Sequence, residues 1–230
     1  MAEGYLSHMS GDYGFPCHGE ICYSSNHAAR FEKGISVGRT ALKQPPARMT
    51  VEEFLVWDGD ADARYELVGG EVFAMAPPGP GHSKIAFNCG HEIARRLRPP
   101  CGGFSEAGIR IPGRDDAYYQ ADLAVSCTPP AAGSAHVFDP VVIIEILSPS
   151  TAAHDRAIKL PDYRRIPSVK EIILISSDAV KAEQWRRSAE TWTVIDVEGK
   201  DAVLLLSSIG IEILLGAVYE GVAFEADKTG

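Results

Sequence analysis

The stretch Val141-Val142-Ile143-Ile144-Glu145-Ile146-Leu147, followed by Ser148-Pro149-Ser150-Thr151, places one carboxylate inside an otherwise continuous apolar run. A short apolar run with β-branched side chains on both faces is typical of a buried central strand. Burying an ionised carboxylate without a partner costs free energy on the order of a domain's whole stability margin. Glu145 therefore requires a cation, a hydrogen-bond network or a raised pKa.

A second strand-like segment, Tyr118 to Ser126, carries Asp122 between residues that alternate with it, Leu123 and Val125. By itself Asp122 could equally be a strand acid that faces solvent. If the two strands are neighbours, a shared metal ion is the simplest cation for both carboxylates. Hard oxygen ligands of this kind suit Mg²⁺, which keeps several waters and meets substrate phosphates.

Working outward from these two strands, the pattern of apolar and turn residues predicts the order α-β-β-α-β-β-β-α-β-β-β, and hence an α/β protein with a mixed α+β sheet. On the N-terminal side we predict a helix capped by Thr50, a hairpin of 65–68 with 71–75, a rigid loop over 77–81, a helix from His82 to about Arg98, and a strand over 104–111. On the C-terminal side we predict a helix over about 151–166, a buried strand over 171–177, and an antiparallel outer pair formed by 184–197 and 202–207.

Composition places this core in one domain, predicted over residues 49–222, with a Gly-, Ser-, His- and Tyr-rich extension over 1–48 and a tail over 223–230. No apolar run approaches the roughly 18 residues of a membrane-spanning helix, and the N-terminus lacks a secretion pattern, so we expect no membrane partner and a cytoplasmic location. The net charge of −9 argues against a protein that coats nucleic acid, although it leaves room for a local basic groove.

The five cysteines are scattered without a paired spacing, which favours a reducing compartment and small buried thiols over a disulfide framework. They are Cys17, Cys22, Cys89, Cys101 and Cys127. Cys17-His18, Cys22 and His27 could together hold Zn²⁺, but their spacing matches no usual zinc framework.

Five motifs occur in a specific order along the chain. They are Arg64-Tyr65-Glu66-Leu67-Val68-Gly69-Gly70-Glu71, a proline loop ending in His82, Gln120-Ala121-Asp122-Leu123-Ala124, the segment 143–151, and Asp155-Arg156 with Lys159-Leu160 and Tyr163. From Met49 to Val222 the chain resembles the Uma-two family of restriction-endonuclease-like proteins, within the PD-(D/E)XK nuclease superfamily. The resemblance implies a restriction-endonuclease-like core with flanking helices and an added C-terminal set of antiparallel strands.

The same resemblance implies a metal-dependent DNA endonuclease. Asp122 matches the family's metal-binding aspartate, Glu145 its second acid, and Glu66 an accessory acid. Leu147 stands where the superfamily has lysine, and Lys159 matches a lysine relocated to the next helix. The implied metal ligands are Asp122, Glu145 and the Ile146 carbonyl, with Mg²⁺ as cofactor and Mn²⁺ as substitute.

Two departures from the family pattern, Ala121 in place of proline and the apolar stretch 172–174, remove no ligand. His82 and Lys84 are outside candidates for the site, although His82 could equally cap or pack. Glu66 and Lys159 could each be solvated, which leaves open an inactive DNA-binding or assembly module with the same fold. A nucleotide phosphohydrolase is a third possibility. A homodimer is expected by analogy with nucleases that cut two strands, through the edge offered by 191–206.

Overall fold

The computed structural model describes residues 45–60 and 63–224. Most of the predicted extension, including Cys17, His18, Cys22 and His27, lies outside these ranges, as does most of the predicted tail. Ten strands are described: β1 (Arg64–Val68), β2 (Glu71–Met75), β3 (Gly102–Arg110), β4 (Tyr118–Ser126), β5 (Pro140–Leu147), β6 (Glu171–Ser176), β7 (Lys181–Ser188), β8 (Thr191–Glu198), β9 (Val203–Leu206) and β10 (Ile211–Leu214). The helices are α1 (Val51–Val56), α2 (Pro80–Ala94), α3 (Ala152–His154), α4 (Leu160–Tyr163) and α5 (Leu215–Val218), with a π turn (Asp155–Lys159) between α3 and α4.

Helix α1 begins as the sequence predicts, with a reciprocal cap. The Thr50 amide donates to Glu53 Oε2 at 2.8 Å, and the Glu53 amide donates to Thr50 Oγ1 at 3.3 Å. Two amides at the start of the helix are thereby satisfied. The short helix is held by Val51, which is fully buried against Leu67 and Tyr118.

The main sheet has the order β2-β1-β4-β5-β6-β7-β8, and β3 pairs with β4 outside that path. Every pair is antiparallel except β5 with β6, whose parallel pairing requires a crossover. The crossover is the segment α3–π turn–α4. The predicted central strand, β5, therefore lies in the middle of the sheet.

Side chains on the two faces of β5 enter two separate core clusters. Ile144 and Ile146 pack with Ile85 and Ile93 of α2. Ile143 and Leu147 pack with Leu160, Tyr163 and other residues of the opposite layer. Because side chains alternate along a strand, Glu145 shares the face of Ile143 and Leu147, toward the crossover.

The prediction for the C-terminal strands was wrong. β7 and β8 form a hairpin at the edge of the main sheet, whereas β9 pairs with β10 in a separate two-stranded sheet. The β7–β8 turn runs through Ala189, which has a positive φ of 51°. Because no glycine or proline marks that turn, the segment 184–197 resembled one continuous strand. β10 and α5 were not predicted at all.

Both predicted helices near the site differ in detail. α2 begins at Pro80, inside the predicted loop, because proline at the first helical position loses no hydrogen bond there. The helix predicted over 151–166 contains the π turn and ends at Tyr163.

The expectation of scattered thiols was wrong for two cysteines, since Cys101 and Cys127 form a disulfide. Gly102 pairs with Ser126 in the β3–β4 ladder, so the residues just beyond them face each other. A sequence separation of 26 residues does not reveal that pairing. Cys89 is a free and fully buried thiol, as predicted. Within the described residues no helix has the length and apolar character needed to cross a membrane.

Candidate active site

The candidate site lies where β5 separates from β4. The β4–β5 register runs only from Leu123–Ile144 to the end of β4, while the other half of β4 meets β1 at Tyr118–Leu67. In the gap, backbone amides donate to side-chain carboxylates. Gln120 N donates to Glu66 Oε1 at 2.9 Å, Asp122 N to Glu145 Oε2 at 3.3 Å, and Ile146 N to Asp122 Oδ2 at 2.7 Å.

These three bonds explain how acids from three strands are held together. Each carboxylate satisfies an amide that the diverging ladder would otherwise leave without a partner, and each amide offsets part of the cost of burying a carboxylate. The divergence of the strands therefore places Asp122 and Glu145 at one small cleft, while Glu66 is held to β4 through the Gln120 amide.

One lysine enters this cleft from the crossover. Lys159 Nζ lies 2.8 Å from Glu66 Oε1, 3.4 Å from Glu145 Oε1 and 3.4 Å from Asp155 Oδ1. The residue is only 4% exposed. Burial lowers the pKa of the ammonium, but Glu145, Glu66 and Asp155 outweigh it and raise that pKa above its usual range. Lys159 is therefore a buried cation.

Glu145 has all three features that can compensate for its burial: a nearby cation, a hydrogen-bond network and a raised pKa. The cation is Lys159, and the network includes the Tyr163 hydroxyl, which donates to Glu145 Oε1 at 2.6 Å. Burial raises the pKa of Glu145 to about 8; Lys159 opposes this rise and Asp122 adds to it. The same burial, reinforced by the charge of Glu145, raises the pKa of the Tyr163 phenol well above its usual value.

Asp155 and Tyr163 also belong to the cluster, although the sequence motif that contains them had indicated no role for either. In the π turn the Leu160 amide donates to the Asp155 carbonyl, five residues back, and this wider turn buries Asp155 and Lys159 while the three residues between them stay exposed. Insertions of this kind are frequent at functional sites. The spacing of Asp155, Lys159 and Tyr163 at four-residue intervals was the signal that could have identified them.

Asp122 and His82 face the cleft from the other side. The Asp122 side chain is 21% exposed, and its Oδ2 lies 3.3 Å from His82 Nε2. His82 lies in the first turn of α2, and its buried Nδ1 has no hydrogen-bond partner among the described residues. Lys84, the other outside candidate, is exposed with its ammonium 5.8 Å from the centre of the Phe87 ring. It does not line the cleft.

The cleft has a volume of about 180 Å³, and its lining includes Asp122, Glu145, Ile146, Lys159 and His82. Glu66, Asp122, Glu145 and Asp155 together carry three more negative charges than Lys159 balances when all are ionised. Within residues 45–60 and 63–224, no three His, Cys, Asp or Glu side chains form a metal site by themselves. Asp122 and Glu145 could supply two carboxylate oxygens to a hard cation, and backbone carbonyls and water would have to complete its coordination.

A larger depression of about 680 Å³ lies elsewhere, beside Arg110, Arg114 and His136. Its arginines are already paired, Arg110 with Glu52 and Arg114 with Asp116 and Asp162. It contains none of the predicted site residues. The candidate cleft is therefore not the larger of these two depressions.

Comparisons with known proteins agree with this architecture. The chain is 28% identical over 187 residues to the uncharacterized protein slr1290 of Synechocystis sp., covering 78% of this chain and 96% of that protein. It is 23% identical over 168 residues to sll1609 of the same organism, covering 71% and 95%. A crystal structure from Anabaena variabilis, described as a putative nuclease belonging to DUF820, superposes with a TM-score of 0.60 at 19% identity. That match covers 76% of this chain and 99% of the other, and it shows the shared fold.

The family model Uma2, described as "Putative restriction endonuclease", matches residues 51–216, which include every strand of both sheets. The match spans the diverging strands, the crossover and the cleft, and it confirms the resemblance and the restriction-endonuclease-like fold predicted from the sequence motifs. The chain therefore belongs to the Uma2 family of restriction-endonuclease-like proteins.

Proposed function

We propose that this chain is a divalent-metal-dependent DNA endonuclease that hydrolyses phosphodiester bonds in the cleft between β4 and β5. The observation that carries the proposal is the excess of negative charge at that cleft, where Asp122 is partly exposed beside the buried pair of Glu145 and Lys159. A divalent cation would offset that excess in the fully ionised cluster. In a nuclease, such a metal ion also contacts the substrate phosphate.

The metal ligands in this proposal are Asp122, Glu145 and the Ile146 carbonyl, with Mg²⁺ as the cofactor and Mn²⁺ as its substitute. Ile146 N donates to Asp122 Oδ2, and in a strand the N–H and C=O of one residue point to the same side. The Ile146 carbonyl therefore faces the same gap as Asp122. When bound, the metal ion supplies Lewis acidity toward a phosphoryl oxygen and lowers the pKa of a coordinated water.

The other residues position these ligands. Lys159 ties Glu66 and Glu145 together, and a shift of its ammonium into the cleft would allow it to stabilise charge that develops on the phosphate. Glu66 fixes the Gln120 amide next to Asp122. His82 orients Asp122 through Nε2, in the manner of the outer-shell partners that orient metal-ligating carboxylates.

A second candidate is a DNA-binding or assembly module that retains the fold without turnover. The burial of Lys159 favours it, because an ammonium held by three carboxylates at 4% exposure must shift before it can meet a phosphate. A gel shift of DNA without cleavage, in the presence of Mg²⁺ or Mn²⁺, would identify this function.

Cleavage of supercoiled plasmid and of single-stranded DNA with Mg²⁺ or Mn²⁺ tests the endonuclease. We expect cleavage by the wild type, its loss on chelation, and its loss in Asp122→Asn. Asp201→Asn is the matched control, because this exposed aspartate lies between β8 and β9, outside the cleft. The absence of cleavage on every substrate, or full activity in Asp122→Asn, would refute the proposal.

We also propose a homodimer that forms through the outer edge of the main sheet. β8 is the last strand on its side of the main sheet, and its Val194 and Ile195 are 50% and 43% exposed. An exposed apolar edge strand is suited to pairing with a second copy. Light scattering should give twice the chain mass for the wild type and the monomer mass for Val194→Lys; a monomeric wild type would exclude the dimer.

A further inference from the structure

A groove of about 460 Å³ adjoins the candidate active site and has no part in the chemistry proposed above. It lies between α2 and the β3–β4 strands, and its apolar lining includes Ala86, Phe87, Gly90 and Leu123. Its size falls within the range of about 300–1,000 Å³ that is usual for small-ligand sites. The groove is continuous with the cleft, because Arg64, His82 and Asp122 line both.

From this groove we infer a subsite in which the ring of Phe87 stacks against an unpaired base of the DNA strand whose phosphate lies at Asp122. The inference rests on the proposed nuclease function and specifies its substrate class, namely single-stranded DNA or DNA with an unpaired nucleotide next to the cut.

Phe87 is the feature that selects a planar ligand. Its side chain is 70% exposed on the outer side of α2, whereas Ile85 and Cys89 on either side of it are fully buried in the core. Every base has an aromatic face, so an exposed ring beside a phosphate-cleaving site provides a stacking platform independent of sequence. The small residues Ala86 and Gly90 leave space on the helix surface next to that ring.

The floor of the groove is set by close packing of α2 on β4. A Cβ atom placed on Gly90 would lie 3.4 Å from Leu123 Cδ2, so the helix approaches the strand closely at this position. Leu123 directly follows Asp122 in β4. The floor of the groove and the cleft are therefore lined by neighbouring residues of one strand. A base in the groove would belong to a nucleotide adjacent to the phosphate at Asp122.

Cations at the rim suit the backbone of the same strand. Arg64 lies at the junction of groove and cleft, and its Nη1 pairs with Glu106 Oε1 at 2.7 Å. Glu106 is exposed, and a surface pair of this kind contributes little to stability, so a phosphate can replace it. Lys84, which lies over Phe87, provides a second cation beside the stacked base.

Backbone strain coincides with this junction. Glu106 adopts a positive φ of 49°, and the β3–β4 register passes from Ser105–Leu123 to Ala107–Ala121 on either side of it, opposite Asp122. Left-handed residues other than glycine cluster at binding sites, where the surrounding structure maintains them. Here the strained residue presents the Glu106 carboxylate to Arg64.

The substrate must be unpaired at this point because a base within a duplex remains stacked between its neighbours. To reach Phe87, a paired base would have to leave its stack, which costs free energy. The net charge of −9 also disfavours the many phosphate contacts through which proteins hold a long duplex. A short contact that combines one stacked base with two cations suits an acidic chain better.

Fluorescence anisotropy of an end-labelled single-stranded oligodeoxynucleotide, in Ca²⁺ and under conditions where no cleavage occurs, tests the subsite with the full chain. We expect Phe87→Ala to weaken binding about tenfold, within the range that base–aromatic stacking supplies. Phe87→Trp should bind as the wild type does. Phe87→Leu should weaken binding like Phe87→Ala, because it keeps an apolar side chain but lacks a ring face.

The matched control is Phe138→Ala, which removes an exposed aromatic side chain that lies outside the groove and whose ring is tilted against that of His136. Its affinity should be unchanged. In a set of oligonucleotides that each lack one base, a single abasic position should weaken binding to the wild type. The same position should not weaken binding to Phe87→Ala. Urea unfolding midpoints should be the same for all Phe87 variants, since the ring is mostly exposed.

Wild-type affinity in Phe87→Ala, equal losses in Phe87→Ala and Phe138→Ala, or no measurable binding of single-stranded DNA by any variant would overturn the inference. These outcomes are separable from failure of the nuclease proposal. Cleavage lost in Asp122→Asn together with unchanged binding in Phe87→Ala would refute only the subsite. A Phe87-dependent affinity without any cleavage would support the subsite and refute the nuclease.

Discussion

At the scale of single residues, substitution of Lys159 tests whether the buried carboxylates around it depend on its charge. Replacing it with methionine leaves Glu66, Glu145 and Asp155 buried together without their cation. Removing one partner of a buried ion pair costs about 3–5 kcal/mol, and we expect a loss of that size in the free energy of unfolding of Lys159→Met. Urea unfolding measures it.

The control for Lys159 is Lys84→Met, an exposed lysine whose loss should change stability by no more than about 0.5 kcal/mol. Mg²⁺ should recover part of the stability lost in Lys159→Met, because a metal ion at Asp122 and Glu145 supplies positive charge in place of the missing ammonium. Equal unfolding curves for Lys159→Met and the wild type would contradict the description of a buried cation.

Tyr163 and Tyr119 form a natural pair for separating stability from catalysis. Each donates its hydroxyl to a buried carboxylate at 2.6 Å, Tyr163 to Glu145 Oε1 and Tyr119 to Asp162 Oδ2, and their rings meet edge to face. Removing either hydroxyl should destabilise the fold by about 1–3 kcal/mol. Only Tyr163→Phe should also reduce DNA cleavage, since only its partner is a proposed metal ligand. Equal cleavage by the two variants would contradict that assignment.

The sequence revealed part of this residue-level arrangement. Glu145 could be identified because a carboxylate inside an apolar strand needs partners whatever the fold. Asp155 and Tyr163 could not be recognised as its partners, because an acid in the first turn of a helix and an aromatic on its apolar face have ordinary explanations. Their convergence on Glu145 depends on the π turn, which no residue type specifies.

At the scale of secondary-structure elements, Glu171 at the start of β6 holds the small β9–β10 sheet against the main one. It is 1% exposed and accepts from the amides of Ser207 and Ser208 at 3.2 and 3.0 Å and from Gln184 Nε2 at 3.1 Å. Glu171→Gln removes an acceptor and the charge, and should cost about 1–3 kcal/mol.

Hydrogen exchange should localise this effect. The amides of β9 and β10 should exchange faster in Glu171→Gln, while those of β4 and β5 keep their protection. The control is Glu183→Gln on β7. Because its partner Arg156 is exposed, this change should leave the exchange rates of the β9 and β10 amides unchanged. Unchanged exchange of β9 and β10 in Glu171→Gln would contradict the tie between the sheets.

The attachment of α2 can be followed through the Cys89 thiol. Burial, with a smaller contribution from Glu92, raises the pKa of Cys89 from 9.0 to about 12. Between these two values the unfolded chain has lost the thiol proton while the folded chain still holds it. The free energy of unfolding therefore falls progressively as the pH rises above about 9, because the unfolded state releases the thiol proton and the folded state retains it.

The unfolding free energy of the wild type should accordingly fall faster with rising alkaline pH than that of Cys89→Ala, in urea titrations that differ only in pH. At about pH 8, alkylation followed by peptide mass analysis should leave Cys89 unmodified in the folded protein and modified in urea. Rapid alkylation of folded protein would mean that α2 does not cover the thiol.

Elements were predictable from the sequence wherever their ends carry a chemical signal. The Thr50 cap, the Gly69-Gly70 turn and the apolar run of β5 are all in place. The β7–β8 turn was missed because Ala189 adopts a left-handed conformation that its residue type does not favour. β9 and β10 were misassigned because strand pairing is a long-range choice that local alternation does not determine.

At the scale of the whole molecule, the site is a consequence of topology. β4 exchanges one neighbour for another along its length, and the gap between β1 and β5 collects acids from three strands and a lysine from the crossover. The family motifs located these residues along the chain, but only the sheet order explains why their carboxylates accept backbone amides. That order cannot be derived from composition or periodicity.

The metal site can be tested with a crystal structure of the full chain grown with Mn²⁺, for which anomalous data are collected at the manganese edge. We expect one anomalous peak between the carboxylates of Asp122 and Glu145, within coordinating distance of the Ile146 carbonyl, and its absence in Asp122→Asn. A wild-type structure without a peak at that position, or an equal peak in Asp122→Asn, would contradict the metal site.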